Sequence, residues 1–512
     1  MGLPSVRNGR FVASVLLGPD GEPRPEWKFL VPTAKSATIL IRPREGIDQQ
    51  AAGRLVERVE RAVKRAGLET DEPVITGVPA LTSAVSDRAA VEAPRIGVLA
   101  MSAVGAVYLL IPWSRRRRDR LRPLLAATLG TATTVALFGW LDRPLSLGVV
   151  AFLPIVLGIG SDFPLYLSRP DQRRRVLVAA GGAAAAFATL AVSELPFVRE
   201  FGIALALGVV ATVAWALALG RGLSHADPAR VDASPTPETA RIPRAFAVGC
   251  AALAVLASGV GWAMLPGQQV ESSPQELARG IAELDDVSRA EGALGFSGEI
   301  SVVIRGRDVL SPEVLAWSER AEEALVTAHG DQLRPLLTLG RLLDFLGEDA
   351  TAEQVTQGSS LLPPYLLNAV VTGRQDVASS SYGIRLRDIE DQRELIRSVR
   401  DLLPEAPEGY DVEVVGLPVV ATSGLDAMSS SRYLIGILGL LAAVGVVAAG
   451  LRSLRLAAMV GASSLMAAGW VYLGLSLTGQ GLTPLTLAVG ALITVTACEF
   501  TVMLQSAHGS AG

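Results

Sequence analysis

Two halves of this chain repeat one another. Gly77, Pro79, Asp87, Ile96, Gly97, Leu99 and Gly130 recur without a gap as Gly416, Pro418, Asp426, Ile435, Gly436, Leu438 and Gly469, at a constant offset of 339 residues. In each half the matched stretch runs from a water-soluble segment, through a Gly-x-Pro turn, into consecutive apolar runs. A soluble domain ahead of each of two duplicated helix bundles is an architecture that membrane transporters use.

The apolar runs set the membrane topology. Half of the 512 residues are hydrophobic, and almost all of the 19% that are charged fall outside a few clean runs. A run of about 18 residues crosses roughly 30 Å of hydrocarbon. Nine candidates meet that length: approximately 96–113, 123–141, 145–167, 176–193, 201–219, 245–265, 433–451, 456–477 and 483–505. The Ala- and Gly-rich stretch 176–193 has the weakest apolar signal, but its neighbours leave too little polar linker for anything but a span.

Arginine placement orients these spans, because short cytoplasmic loops are enriched in Arg and Lys. Arg115 to Arg118 with Arg120 and Arg122, Arg169 with Arg173 to Arg175, Arg221, Arg230, Arg241 and Arg244, and finally Arg452 and Arg455 fall in alternate connections. Those loops are expected inside. The sparsely charged connections, around Asp142 and Arg143 and from Thr478 to Thr483, are expected outside together with both soluble segments. Trp113, Trp140 and Trp262 lie near span ends, as interfacial aromatics do. No cleavable signal is visible before the first span, so the expectation is a chain lacking a leading helix. Cys250 and Cys498 both sit inside spans, so no disulfide framework is expected. Three scattered histidines give no metal spacing, and basic patches with interleaved aromatics for nucleic acid are absent.

In the first soluble segment, 36–43 and 73–78 read as strands around a helix at 48–66 whose Ala51, Leu55, Val59, Val63 and Ala66 share one face. The second segment reads as strand 298–305, helix 311–328, strand 382–387, helix 389–403 and strand 411–416. Two strand-helix-strand units predict a small α+β sandwich of ferredoxin-like type. The leucine-rich stretch 331–373, with Leu336, Leu337, Leu342, Leu343, Leu346, Leu361, Leu362, Leu366 and Leu367, fits the core of that domain or a substrate-facing groove.

Two acids lie where the apolar pattern should forbid them. Asp162, in Gly158-Ile159-Gly160-Ser161-Asp162-Phe163, falls inside the span 145–167; Glu499, in Thr496-Ala497-Cys498-Glu499-Phe500, falls inside 483–505. A carboxylate at the bilayer centre costs on the order of 2.5–3.5 kcal/mol by insertion scales, so each needs a reason. The nine runs contain no Lys or Arg to pair with them. Such groups can gain and lose a proton at a depth where the rest of the span cannot, which is what a proton relay requires. A bland alternative for Asp162 is reach to interfacial water, since Arg169 is only about 10 Å further along the helix. Both acids precede Phe and occupy corresponding spans, at an offset of 337 residues. Gly158 and Gly160 lack the preceding strand and third glycine of a nucleotide loop, and read as helix-packing positions beside the acid. No P-loop, catalytic triad or cofactor motif appears, so no cofactor is expected.

The chain resembles the resistance-nodulation-division superfamily, and within it the mycobacterial-membrane-protein-large (MMPL) type of exporter. Gly77-Val78-Pro79-Ala80-Leu81 and Gly158-Ile159-Gly160-Ser161-Asp162-Phe163-Pro164-Leu165-Tyr166-Leu167 carry the resemblance, with a weaker match at Gly295-Phe296-Ser297-Gly298-Glu299. It implies an α-helical polytopic membrane protein with an internal two-fold repeat and extracytoplasmic α+β ferredoxin-like porter domains. On that plan 1–91 is a partial porter domain, 92–220 a five-helix bundle, 221–244 a cytoplasmic linker, 245–265 a single membrane helix, 266–432 the second porter domain and 433–512 an incomplete three-helix bundle. The family's proton-relay acids fall on Asp162 and Glu499, flanked by Gly158, Gly160, Phe163 and Phe500. Many relatives carry Asp followed by Asp or Tyr, where this chain has Phe163 and Phe500 after the acids and Glu at 499. The implied function is secondary active export of lipids or other hydrophobic compounds across a bacterial inner membrane, driven by protons. Alternatives are a non-transporting member that aids protein translocation or envelope assembly, or an inactive fragment. Family members work as monomers or trimers, so a homo-oligomer and envelope accessory proteins stay open as partners.

Overall fold

The computed structural model describes residues 9–24, 27, 30–33, 36–41, 43, 47, 49–67, 73–111, 117–141, 147–167, 172–220, 243–268, 289–292, 294–347, 350–385, 389–479 and 486–509. Among the residues singled out above, Trp113, Arg115, Arg116, Asp142, Arg143, Arg169, Arg221, Arg230 and Arg241 lie outside this set, as does nearly all of the linker 221–244.

In chain order, a short helix α1 (Gly9–Leu16) and an amphipathic helix α2 (Gln49–Ala66) precede the long helix α3 (Val78–Leu110). One turn, α4 (Arg117–Arg120), leads to α5 (Arg122–Trp140), α6 (Leu147–Leu167), α7 (Arg173–Ala188), α8 (Pro196–Gly220) and α9 (Arg244–Met264). Strand β1 (Gly298–Arg305), helix α10 (Pro312–His329) and strand β2 (Leu333–Leu337) follow. Three short helices, α11 (Leu339–Leu343), α12 (Ala352–Leu361) and α13 (Pro364–Val370), then lead to β3 (Val377–Ile384), α14 (Ile389–Leu402) and β4 (Asp411–Val415). The chain ends with α15 (Leu417–Leu451), α16 (Leu454–Thr478) and α17 (Thr486–Gly509).

Residues separate into two compact units, one of Met1–Val85 with Ser272–Ser423 and one of Ser86–Glu271 with Gly424–Gly512. Among the described residues the second holds eight helices long and apolar enough to cross a membrane, and a further one, α6, whose apolar stretch is Pro154–Leu167. This is a multi-pass membrane protein. The helix at Pro196 starts five residues ahead of the expected span, taking Arg199 and Glu200 into its first turns. The Ala- and Gly-rich candidate 176–193 proves to be a well-packed span, with 44% of Arg173–Val192 buried. Val176, Ala179, Ala183 and Ala186 of α7 are fully buried, because small side chains let neighbouring helices close on it.

The matched Gly-x-Pro motifs behave alike. Gly77 and Gly416 take φ of +119° and +145°, which only glycine adopts without strain, and each is followed directly by a long helix with proline at its second residue. A Cβ at Gly416 would lie 2.7 Å from the Glu299 carbonyl, so this turn needs glycine for space as well.

In the other unit the four strands form an antiparallel sheet in the order β2-β3-β1-β4. Ile300, Val302 and Ile304 alternate inward from β1 and pack with Val314, Trp317 and Leu325 of α10 and with Ile396 and Val399 of α14. Ser311 caps α10 by accepting from Val314 N at 3.4 Å, with Pro312 at the first helical position. Trp317 is buried and donates its indole N–H to the Pro404 carbonyl at 3.2 Å. Trp317→Ala is expected to destabilise this unit by roughly 3–5 kcal/mol, read as faster limited proteolysis of the second soluble segment. Unchanged cleavage would mean that the cluster does not hold this unit.

Two expectations for the soluble segments need correction. Residues 36–41 and 73–76 form no ladder; Ser36 makes one isolated bridge with Thr33, and Val78 already belongs to α3. Extended chain becomes strand only when a neighbour pairs with it in a ladder, and here the described backbone bonds of 36–41 are isolated ones, Ser36 N to the Thr33 carbonyl and Thr38 N to the Leu30 carbonyl. Ile39 is 76% exposed as a result. Strand β3 begins at Val377 rather than 382, because it pairs with the whole of β1 from Gly298↔Ile384 to Arg305↔Val377. That ladder recruits the run Ser379–Ser381 despite its weak strand preference. Within 331–373, Leu336, Leu339 and Leu343 are core, whereas Leu361 stays 78% exposed.

Candidate functional site

Helix α6 presents the first acid two residues ahead of an internal proline, Pro164. Pro164 lacks the N–H that would bond the Gly160 carbonyl, which frees that carbonyl beside Asp162. Gly160 itself faces Thr212 of α8, with a Cβ there falling 3.5 Å from Thr212 Oγ1. A Cβ at Gly130 of α5 would fall 2.7 Å from Thr212 Cα and N, so α5 and α8 cross at backbone contact. Thr212 is fully buried and its hydroxyl has no partner among the described residues. Residues two apart on a helix do not share a face, so this seam grips α6 behind Asp162 and leaves the acid to the other side.

On that side stands Tyr108 of α3. Its phenol donates to Asp162 Oδ1 at 3.1 Å and lies at the same 3.1 Å from Ser161 Oγ. Ser161 sends its own proton to the Gly158 carbonyl at 2.8 Å, so its oxygen is available to accept. Tyr108 is 7% exposed and Ser161 1%, while Asp162 is half-buried.

The second acid comes from the C-terminal helix α17. Glu499 of α17 is 4% exposed and lies near enough to Asp162 for their charges to interact. The preceding Cys498 packs against α7, where a Cβ on Gly182 would be 3.3 Å from its Sγ and 3.6 Å from the Ala443 carbonyl of α15. Among the described residues neither acid forms an ion pair, and Glu499 has no hydrogen-bond partner. Two carboxylates in a surround of low dielectric constant interact strongly, so the proton occupancy of one depends on that of the other. Nor do the described residues hold a group of three His, Cys, Asp or Glu that would suit a metal ion.

The flanking positions differ among themselves. Phe163 is fully buried in the helix core, whereas Phe500 is 53% exposed. A Cβ at Gly158 would meet nothing within 4 Å, so its role is not the close packing expected of it; Gly160 alone has a neighbouring helix at contact. Tyr108 is the residue that sequence reasoning passed over. Its signal was a phenol in the aliphatic run Val104–Ile111, a polar tip that needs a partner wherever it is buried.

No family model matches the sequence, and no curated protein matches it. Among solved structures, the hedgehog release protein Disp from the water bear Hypsibius dujardini, determined by cryo-EM, is similar with a TM-score of 0.55 and 13% sequence identity. The alignment covers 83% of this chain and 61% of the water bear chain, so this chain spans less than two thirds of that protein's length. At that identity the likeness is one of fold.

Proposed function

We propose that this chain is a proton-driven exporter of lipids or other hydrophobic compounds across a bacterial inner membrane, of the resistance-nodulation-division type and nearest in motif to its MMPL branch. The observation that carries the reading is that half-buried Asp162 and buried Glu499, one acid from each sequence repeat, lie near enough in apolar helices for their charges to interact, with no cation partner among the described residues. Intramembrane acids in that state mark proton or ion pathways. Fold likeness to a protein named for releasing a cargo supports the same class. So does the strand order β2-β3-β1-β4 with a helix after β1 and after β3, the split strand-helix-strand arrangement of ferredoxin-like domains.

On this reading the soluble segments 1–91 and 266–432 are extracytoplasmic porter domains, and the Arg-rich connections face the cytoplasm. Proton binding at Asp162 and Glu499 shifts the packing of the helices that carry them, and the porter domains pass cargo outward. One proton moving through about 100 mV supplies about 2.3 kcal/mol, enough to bias a two-state bundle.

The test is reconstitution into vesicles with an imposed proton gradient and a fluorescent lipid as cargo. Lipid movement should require the gradient and fall to the empty-vesicle rate when a protonophore collapses it. Movement that ignores the protonophore would exclude proton drive. No movement from correctly inserted protein would favour a role in protein translocation or envelope assembly.

A further inference from the structure

Helix α3 is held in its unit by little. Only 12% of its span Ala90–Leu110 is buried, against 44% of Arg122–Trp140 and 50% of Ala488–Gln505. Within that span the buried residues, among those whose side chains are described, are Gly105 and Tyr108, three apart and therefore on one face. A Cβ at Gly105 would lie 3.3 Å from Leu124 Cδ2 of α5, and Tyr108 makes the hydrogen bond to Asp162. Besides the Arg120 guanidinium, which donates to the Leu109 carbonyl at 2.8 Å, the polar contact that fixes α3 sideways among the described residues is one phenol on one titratable acid.

Tyr108 sits between two acceptors at equal distance, Asp162 Oδ1 and Ser161 Oγ, and has a single proton to give. A hydrogen bond to an ionised carboxylate is roughly twice as strong as one between neutral groups. With Asp162 ionised the phenol belongs to the acid; with Asp162 protonated that advantage vanishes and Ser161 becomes an equal partner. The titratable groups that act on Asp162 are Tyr108 on α3 and Glu499 on α17, with Cys498 beside the latter. Helices α5, α7 and α8 bring no charge to it among the described residues.

The repeat makes this arrangement one-sided. The position matching Tyr108 at the offset of 339 residues is Val447 of α15, a fully buried aliphatic residue that cannot respond to protonation. Among the described residues, only the helix that follows the first soluble segment carries a hydroxyl to its acid.

We propose that Tyr108 is a positioning residue that converts protonation of Asp162 into movement of α3, making the first half of the chain the responsive one. This rests on the relay reading above. Its test uses the full chain in vesicles with nitroxide labels at Leu99→Cys on α3 and Leu125→Cys on α5, both exposed, in a Cys250→Ser background. The label separation should change between about pH 5 and about pH 8, and the pH-dependent change should be lost in Asp162→Asn and in Tyr108→Phe. Ser161→Ala, which removes the alternative acceptor, should shrink the change and serves as the second arm if Tyr108→Phe does not fold. A change of full size in a folded Tyr108→Phe or Ser161→Ala protein, or no change in the parent, overturns the inference. If Asp162→Asn still transports at the parental rate, the relay reading falls. If transport needs Asp162 while the label change survives Tyr108→Phe, only the coupling falls.

Discussion

Asp162→Asn is expected to reduce gradient-driven transport to the rate of empty vesicles while the protein still inserts and elutes as a single species. The amide is close to the acid in shape and can still accept from Tyr108, so the contact at 3.1 Å and the half-buried setting are kept. What is lost is the exchangeable proton, and with it about 2.3 kcal/mol per proton for each 100 mV of potential. Glu499 does not replace it, because the two acids occupy different helices and Glu499 lacks the phenol partner among the described residues. Transport at the parental rate in a correctly inserted Asp162→Asn protein would remove Asp162 from the relay.

Gly469→Val is expected to destabilise the membrane unit by roughly 3 kcal/mol, at the upper end for overpacking, because the clash is with backbone. Helices α9 and α16 cross glycine on glycine. A Cβ at Gly469 would overlap Ser258, including its carbonyl oxygen, and would lie 2.8 Å from the Ser258 carbonyl carbon. A Cβ at Gly261 would run into the Gly469 carbonyl and lie 2.9 Å from Leu473 N. Neither neighbour can rotate away as a side chain could. Forcing the helices apart also breaks the indole bonds across the seam, Trp262 to the Leu465 carbonyl at 2.9 Å and Trp470 to the Ala254 carbonyl at 2.8 Å. Gly474→Ala on the same helix is the control. Nothing lies within 4 Å of its Cβ position, so it should be neutral or gain up to about 1 kcal/mol of helix propensity. Thermal unfolding in detergent distinguishes the two, and equal midpoints would deny the crossing its structural weight.

Local and periodic features were legible in the sequence. The span pattern anticipated the apolar helices, the Gly-x-Pro motifs marked where α3 and α15 begin, and the two acids stood out against their surroundings. Features that depend on a distant partner were not. Nothing near Tyr108 in the chain indicates Asp162, which lies 54 residues on. Gly130 and Gly469 were visible as repeat partners, but that one receives Thr212 and the other Ser258 is a matter of which helices cross. The strands expected at 36–43 and 73–78 failed for the same reason, since alternating residues describe what one strand offers and not whether a ladder exists to take it. The β3 boundary moved because β1 decided it.

The seam between α9 and α16 also says something about how the protein is made. Its polar half-bonds, the indoles of Trp262 and Trp470 and the Gln268 amide on the Tyr472 carbonyl at 2.7 Å, join residues more than 200 positions apart. Helix α9 ends at Met264, and α16 begins only at Leu454, after the whole four-stranded sheet. At about 5–20 residues per second, ribosomal synthesis leaves α9 waiting roughly 10–40 s for its partner. Through that interval it lacks its partner helix, with an exposed Cys250 and three hydrogen bonds across the seam unmade. Defects at this seam should therefore first appear as lost yield during biogenesis, before any mature protein exists to be assayed.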